Sequence, residues 1–154
     1  VESVDLVPTF LEALGVPGAP ERIEGRSLLP LLRSRDKQLP WRHAVFSELD
    51  YSYRQARVLL GKEIQQCRAY SMRTERWRYV YWLDEPEQLF DLQADPKELN
   101  DLGRDENHLT LREELRTQLF DWLARRKHRV TMTDEAVERA TNGHKRAGVF
   151  YGQW

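Results

Sequence analysis

The residues with the most chemical potential lie in "EPEQLFDLQADPKELNDLG", Glu85 to Gly103. Asp91, Asp95, Glu98, Asn100 and Asp101 crowd this short stretch. Such a cluster could hold calcium, could pair carboxylates for acid–base work, or could simply turn a strand into a surface loop. An EF-hand loop needs oxygen ligands at positions one, three and five, glycine at six and glutamate at twelve. Counting from Asp91, position six is Pro96 and position twelve is Leu102. The pattern is broken at both, and Pro96 stiffens the chain where a calcium loop must bend. The reading favoured by these residues is structural: a strand end, an Asx-type turn at Asp95–Pro96, and Leu99 and Leu102 pinning the loop to the core.

Other reactive side chains are sparse. Cys67 is the single cysteine, so no internal disulfide framework exists, and a reducing cytoplasm is the expected setting. His43, His108, His128 and His144 are scattered without metal-ligand spacing. There is no phosphate-cradling glycine loop and no Gly-x-Ser-x-Gly elbow. The basic run Arg125 to Arg129, with Lys145 and Arg146, is short in a chain of net charge -1, so helix termination or subunit contact outranks nucleic-acid binding. No apolar run approaches the roughly 20 residues that span a bilayer.

The elements that position these residues follow from periodicity. "VESVDLVPTFLEALG" predicts an amphipathic helix, capped by Ser3 or Asp5 and ended by Gly15. Its stripe of Leu6, Val7, Phe10, Leu11 and Leu14 is broad enough to require a large partner surface, as in a chain cut from a larger one. Ser27 to Leu32 predicts one short helical turn burying Leu28, Leu29 and Leu32. Four strands are expected: Ala44–Leu49, Arg68–Thr74, Trp77–Leu83 and Gln88–Leu92, the last three as a meander. The aromatic third strand presents Tyr79, Tyr81 and Leu83 on one face and Val80 and Trp82 on the other, which is a core pattern. Tyr51 to Gln66 holds either a short helix or an irregular excursion. Thr110 and Glu113 form a capping-box signature for a long helix with Leu111, Leu115, Leu119 and Trp122 on one stripe and Leu123 beside it. Thr133 can cap a shorter helix through Ala140.

The wording and order of these segments resemble the C-terminal part of the type I sulfatases in the alkaline phosphatase superfamily. "SVDLVPTFLEALGVP", "IEGRSLLPLL", "AYSMRTERWRYVYW" and "QLFDLQADPKELNDL" each resemble a family segment, in family order. "AVFSELDYSYRQAR" and the tail "TDEAVERATNGHKRAGVFYGQW" are most similar to the phosphonate monoester hydrolases.

The resemblance implies an α+β fold: a small antiparallel sheet of about four strands packed on one long helix, with an N-terminal helix and a C-terminal arm. Residues 1–40 would belong to the edge of an upstream catalytic domain, 41–129 to the C-terminal subdomain and 130–154 to the arm. The family nucleophile is a formylglycine made from Cys or Ser in a Cys/Ser-x-Pro-x-Arg context, assisted by one divalent metal. Cys67 is followed by Arg68, Ala69, Tyr70 and Ser71, so it does not fit, and no serine does. In the family these groups lie upstream of the opening helix. The chain itself is therefore expected to bind no cofactor and to be inactive alone, supporting a bacterial, cytoplasmic phosphonate, phosphate or sulfate ester hydrolase.

Val149, Phe150, Tyr151 and Trp154 form an apolar cluster at the end of the chain, where residues are usually polar. An arm making homo-oligomer contacts is expected, although the cluster could equally fold back on its own domain. The expected partners are the upstream catalytic domain and further copies of the parent, with neither nucleic acid nor membrane. A free-standing interaction module without enzymatic activity is the alternative.

Overall fold

A computed structural model describes residues 1–34, 39–127 and 132–141. The chain divides into two compact units, Val1–Leu39 with Arg126–Trp154, and Pro40–Arg125.

The second unit holds the sheet. Strands β1 (Val45–Asp50), β2 (Arg68–Arg73), β3 (Trp77–Trp82) and β4 (Gln88–Asp91) pair antiparallel in the order β1-β2-β3-β4. The register sets Phe46 opposite Met72, Met72 opposite Tyr79, and Tyr79 opposite Leu89. Residues directly opposite one another share a face, so Phe46, Met72, Tyr79 and Leu89 lie on one side of the sheet, and that face meets helix α4 (Leu109–Ala124). Met72, Tyr79, Leu89 and Leu119 are fully buried there, with Ala44 and Leu115 close to it, and Leu111, Trp122 and Leu123 packed around them. Phe46 stacks on Trp122 with ring centroids 4.5 Å apart, and Tyr81 meets Phe120 edge-on. The expected α+β fold, its strands and the stripe of the long helix are all present. Between β1 and β2 the excursion contains a short helix α3 (Gln55–Leu59) and a 3-10 turn (Ile64–Gln66).

The start of α4 departs from expectation. Thr110 lies inside the helix, and the cap sits earlier: Asp105 accepts the Asn107 amide at 2.9 Å and opens a 3-10 turn, Glu106–His108, that runs into α4. An aspartate one turn upstream satisfies free amides that a threonine within the helix cannot reach.

The first unit carries α1 (Leu6–Ala13), α2 (Leu29–Arg33) and α5 (Asp134–Ala140). A 3-10 turn, Ser3–Asp5, precedes α1; Glu2 and Asp5 form its capping box, so neither Ser3 nor Asp5 caps α1 by itself. The side of α1 turned inward is polar. Asp5 is 0% exposed and accepts the Arg26 amide at 2.9 Å, while the Thr9 hydroxyl accepts the Leu28 amide at 2.9 Å and donates to the Asp5 carbonyl. The apolar residues Leu6, Val7, Phe10 and Leu14 are exposed. Leu32, expected to be buried, is 74% exposed. Thr133 caps α5 by accepting the Ala136 amide at 3.2 Å, as the sequence predicts. Among the described residues no helix is long and apolar enough to cross a membrane.

Candidate functional site

The acidic stretch after β4 is a set of backbone clamps. Asp91 is nearly buried; it receives Arg76 Nη2 at 2.8 Å and the amides of Gln93 and Ala94. The Arg76 hydrogen bond, helped by those amides against the cost of desolvation, holds the Asp91 carboxyl below the usual carboxylate range. Asp95 accepts the Asn100 amide at 2.7 Å. Asp101 Oδ1 accepts the amides of Leu89 and Gly103. Glu98 adopts φ 57° and pairs with Arg78 and Arg73. A non-glycine residue in that region is uncommon, and the two arginines hold it in place.

Gly103 closes the turn. A Cβ there would come within 2.1 Å of the Glu87 carbonyl oxygen, so only glycine lets the loop return to the head of β4. Leu102 packs against the core, but Leu99 is 81% exposed and pins nothing.

The carboxylates are thus directed at guanidinium and amide protons. Among the described residues no group of three or more His, Cys, Asp or Glu side chains is arranged to hold a metal ion. The donor set of the acidic turn does not fit a divalent cation, because its oxygens already accept from positively polarised protons.

Cys67 is 0% exposed, and its thiol donates to the Glu63 carbonyl at 3.3 Å. Buried in this way it behaves as a small apolar residue. His108 pairs with Asp105 at 2.9 Å, and His43 lies 3.4 Å from Gln118. Of the basic run, Arg125 bonds Asp121, Arg126 approaches Glu24, and Lys127 donates to the carbonyls of Pro20 and Ile23. The Arg126 and Lys127 contacts tie the segment after α4 to the loop between α1 and α2. Val149, Phe150, Tyr151 and Trp154 lie outside the described residues, as do His128, His144, Lys145 and Arg146.

A further hollow of the second unit was not legible in the sequence. It is a cleft of about 630 Å³ at one end of the sheet, between the end of β1, helix α3 and the β3–β4 turn. Leu49, Tyr51, Ala56, Leu60, Trp82 and Pro86 form its apolar walls. The frame is built locally. Asp50 accepts the Ser52 amide in an Asx turn, and Arg57 Nε donates to the Ser52 carbonyl at 2.7 Å. Tyr51 is buried edge-on against Trp82 at 5.7 Å, and Trp82 Nε1 donates to Gln88 at 2.8 Å. Lys62 anchors the other rim, bonding Glu85 at 2.9 Å and the Leu83 carbonyl at 3.1 Å. The Asp-x-Ser of "LDYSYRQAR" signals a turn; nothing in the sequence signals that a second wall lies some 30 residues later.

Comparison with known proteins places this geometry. Residues 1–125 match the family described as N-sulphoglucosamine sulphohydrolase, C-terminal. The multifunctional alkaline phosphatase superfamily protein PehA of Trinickia caryophylli is 32% identical over 124 residues, covering 79% of this chain and 24% of that protein. Arylsulfatase K of Gallus gallus is 33% identical over 107 residues, covering 67% of this chain and 18% of that protein. Phosphonate monoester hydrolase SpPMH from Silicibacter pomeroyi superposes with a TM-score of 0.71 at 28% identity, over 88% of this chain and 28% of that one. The chain therefore spans about a quarter of the length of the PehA and SpPMH chains it matches.

Proposed function

The chain belongs to the family of N-sulphoglucosamine sulphohydrolase C-terminal domains, and from that membership we propose that it is the C-terminal subdomain of a metal-dependent hydrolase of phosphonate or phosphate monoesters, or of sulfate esters. The likeness to PehA and to a phosphonate monoester hydrolase structure supports the phosphorus-ester reading; the likeness to arylsulfatase K supports the sulfate-ester one. The nucleophile and the metal ligands would come from the remaining three-quarters of such an enzyme. The carboxylates of the acidic turn and the Cys67 thiol are engaged in structural contacts.

One observation carries the supporting role. Helix α1 turns Asp5 and Thr9 inward and leaves Leu6, Val7, Phe10 and Leu14 in solvent. A contiguous exposed stripe of this kind marks a contact surface, and the catalytic domain is its proposed partner. The test is Phe10→Asp in the full-length protein. A buttressing helix predicts a loss of soluble, active enzyme. Full activity and an unchanged melting temperature would remove the role.

The tail supplies the second part of the proposal, an arm making contacts between copies. Deleting residues 130–154 from the full-length protein should lower the assembly mass measured by light scattering while leaving a folded protomer. An unchanged mass, or a monomeric parent, would reject the arm.

A further inference from the structure

We propose that residues 53–61 form a lid that closes over the cleft between α3 and the β3–β4 turn, laying Leu59 and Leu60 against Trp82 and Pro86.

The segment is anchored at its two ends. At one end Tyr51 is buried; its amide donates to the Cys67 carbonyl at 3.0 Å, and its ring meets Trp82 edge-on. At the other end the Lys62 side chain is only 8% exposed and donates to Glu85 and to the Leu83 carbonyl, while Gln66 Nε2 donates to Asp84 at 3.2 Å. Between these anchors the hydrogen bonds are local. The amides of Arg54, Arg57, Leu60 and Gly61 donate to the carbonyls of Tyr51, Arg54, Ala56 and Val58. Arg57 accepts the Lys62 amide at its carbonyl, and its Nε donates to the Ser52 carbonyl. Among the described residues, no hydrogen bond of residues 53–61 reaches the sheet. The segment can therefore swing without breaking one to it.

Its packing is equally loose. Tyr53, Val58, Leu59 and Leu60 are 73%, 66%, 77% and 59% exposed. Helix α3 spans five residues, too few to be stable on its own propensity. Local hydrogen bonds and few buried apolar contacts mark the low-stability segments from which lids are drawn.

The helix sets the direction of closure. Ala56 and Leu60 already line the cleft, with Trp82 and Pro86 on its other wall. At 3.6 residues per turn, Leu59 shares the face of Ala56 and Leu60, whereas Val58 points away from it. Gly61 is the hinge. It adopts φ +63°, and nothing lies within 4 Å of where a Cβ would sit, so the backbone turns there without a clash. Closure takes Leu59 and Leu60 out of water, which favours it, and shuts the cleft off from solvent, as lids do.

The test is disulfide trapping in the full-length protein. The Leu59→Cys/Pro86→Cys variant pairs the lid with the far wall, and Val58→Cys/Pro86→Cys is the control. Leu59 lies outside the cleft lining, and a disulfide forms only when the two Cα atoms come within about 7 Å. Copper phenanthroline in air is the oxidant, and mass spectrometry of the linked peptides separates this bond from any other cysteine pair. All three positions are exposed, so both variants should melt with the parent. The Leu59 pair should link at least about tenfold faster than the control, a bias of about 1.4 kcal/mol toward the face-down approach. Absence of that link, whether because the segment is static or because another domain pins α3, overturns the lid. Equal rates for the two pairs overturn it as well, since they describe a loop with no preferred closed state. The readout is a covalent link and not turnover, so the lid and the proposed enzymatic role stand or fall separately.

Discussion

Arg76 and Asp91 close the mouth of the β2–β3 hairpin onto the end of β4: Nη2 and Nε of the arginine both donate to Oδ2 of the aspartate, at 2.8 and 3.2 Å. The same carboxylate receives two amides of the following turn, and the Leu92 amide returns to the Arg76 carbonyl at 2.7 Å. The pair therefore joins the β2–β3 hairpin and the acidic loop in one hydrogen-bonded unit.

The first prediction is an acid dependence. Asp91, Asp105 and Asp50 are all held below their ordinary range, by the Arg76 bond, the Asn107 amide and the Ser52 amide respectively. In the unfolded chain such groups bind protons near pH 4. As pH falls below that value the unfolded state takes up protons that the folded state resists, so stability declines through the lowered folded-state values. Asp91→Asn should flatten this acid limb and lower the melting temperature at pH 7. An unchanged acid limb would show that the carboxylate charge contributes nothing.

At high pH the sign reverses for Tyr79. Burial pushes its phenol well above the ordinary value, with the Arg116–Glu87 ion pair alongside. Its contribution is fully present below about pH 10, the ordinary phenol value, and is lost as the unfolded chain ionises above it. Tyr79→Phe should remove part of the alkaline loss of stability, read from melting temperatures between neutral and strongly alkaline pH. A parallel loss in both proteins would contradict the assignment.

In residues 1–154 alone, calcium should leave the melting temperature unchanged. The oxygens of Asp91, Asp95 and Asp101 already accept from Arg76 and from backbone amides. Binding to the folded state alone at 100 times the dissociation constant would stabilise by about 2.7 kcal/mol. A clear upward shift that vanishes in Asp95→Ala would reverse the structural reading of the turn.

The core prediction concerns Leu119, which is 0% exposed under the sheet. Leu119→Ala removes three carbons from a packed interior and should cost about 2–5 kcal/mol, transfer and cavity together. Gly103→Ala should also destabilise, because its Cβ would strike the Glu87 carbonyl. Chemical denaturation measures both; a neutral Gly103→Ala would mean the loop can shift at little cost.

How far these features could be read from sequence depends on whether their causes are local. β3 is written in "WRYVYW", where aromatic and β-branched residues favour a pleated surface and alternate cleanly between faces. The stripe of α4 is equally direct, since Leu115 and Leu119 recur at helical spacing. The inward side of α1 was not legible. Asp5 and Thr9 are buried because the amides of Arg26 and Leu28, 21 and 19 residues away, need acceptors. Those partners are non-local, so the apolar stripe, which called for a large partner surface, gave no sign that two polar residues fill the inward side. Leu32 and Leu99 show the same limit: an apolar residue in a turn is not evidence of what covers it. The cleft arises from three segments separated along the chain, and only its Asx turn leaves a local trace.

The central claim is that this chain is a supporting domain of a family hydrolase whose catalytic groups lie elsewhere. The most direct measurement is release of 4-nitrophenol from 4-nitrophenyl phenylphosphonate, 4-nitrophenyl phosphate and 4-nitrophenyl sulfate, with manganese, zinc or calcium supplied. The full-length protein should turn over at least one of these esters, and residues 1–154 alone should turn over none. Activity of the isolated chain that survives purification, above all activity abolished by Cys67→Ala, or inactivity of the full-length protein on all three esters, would contradict it.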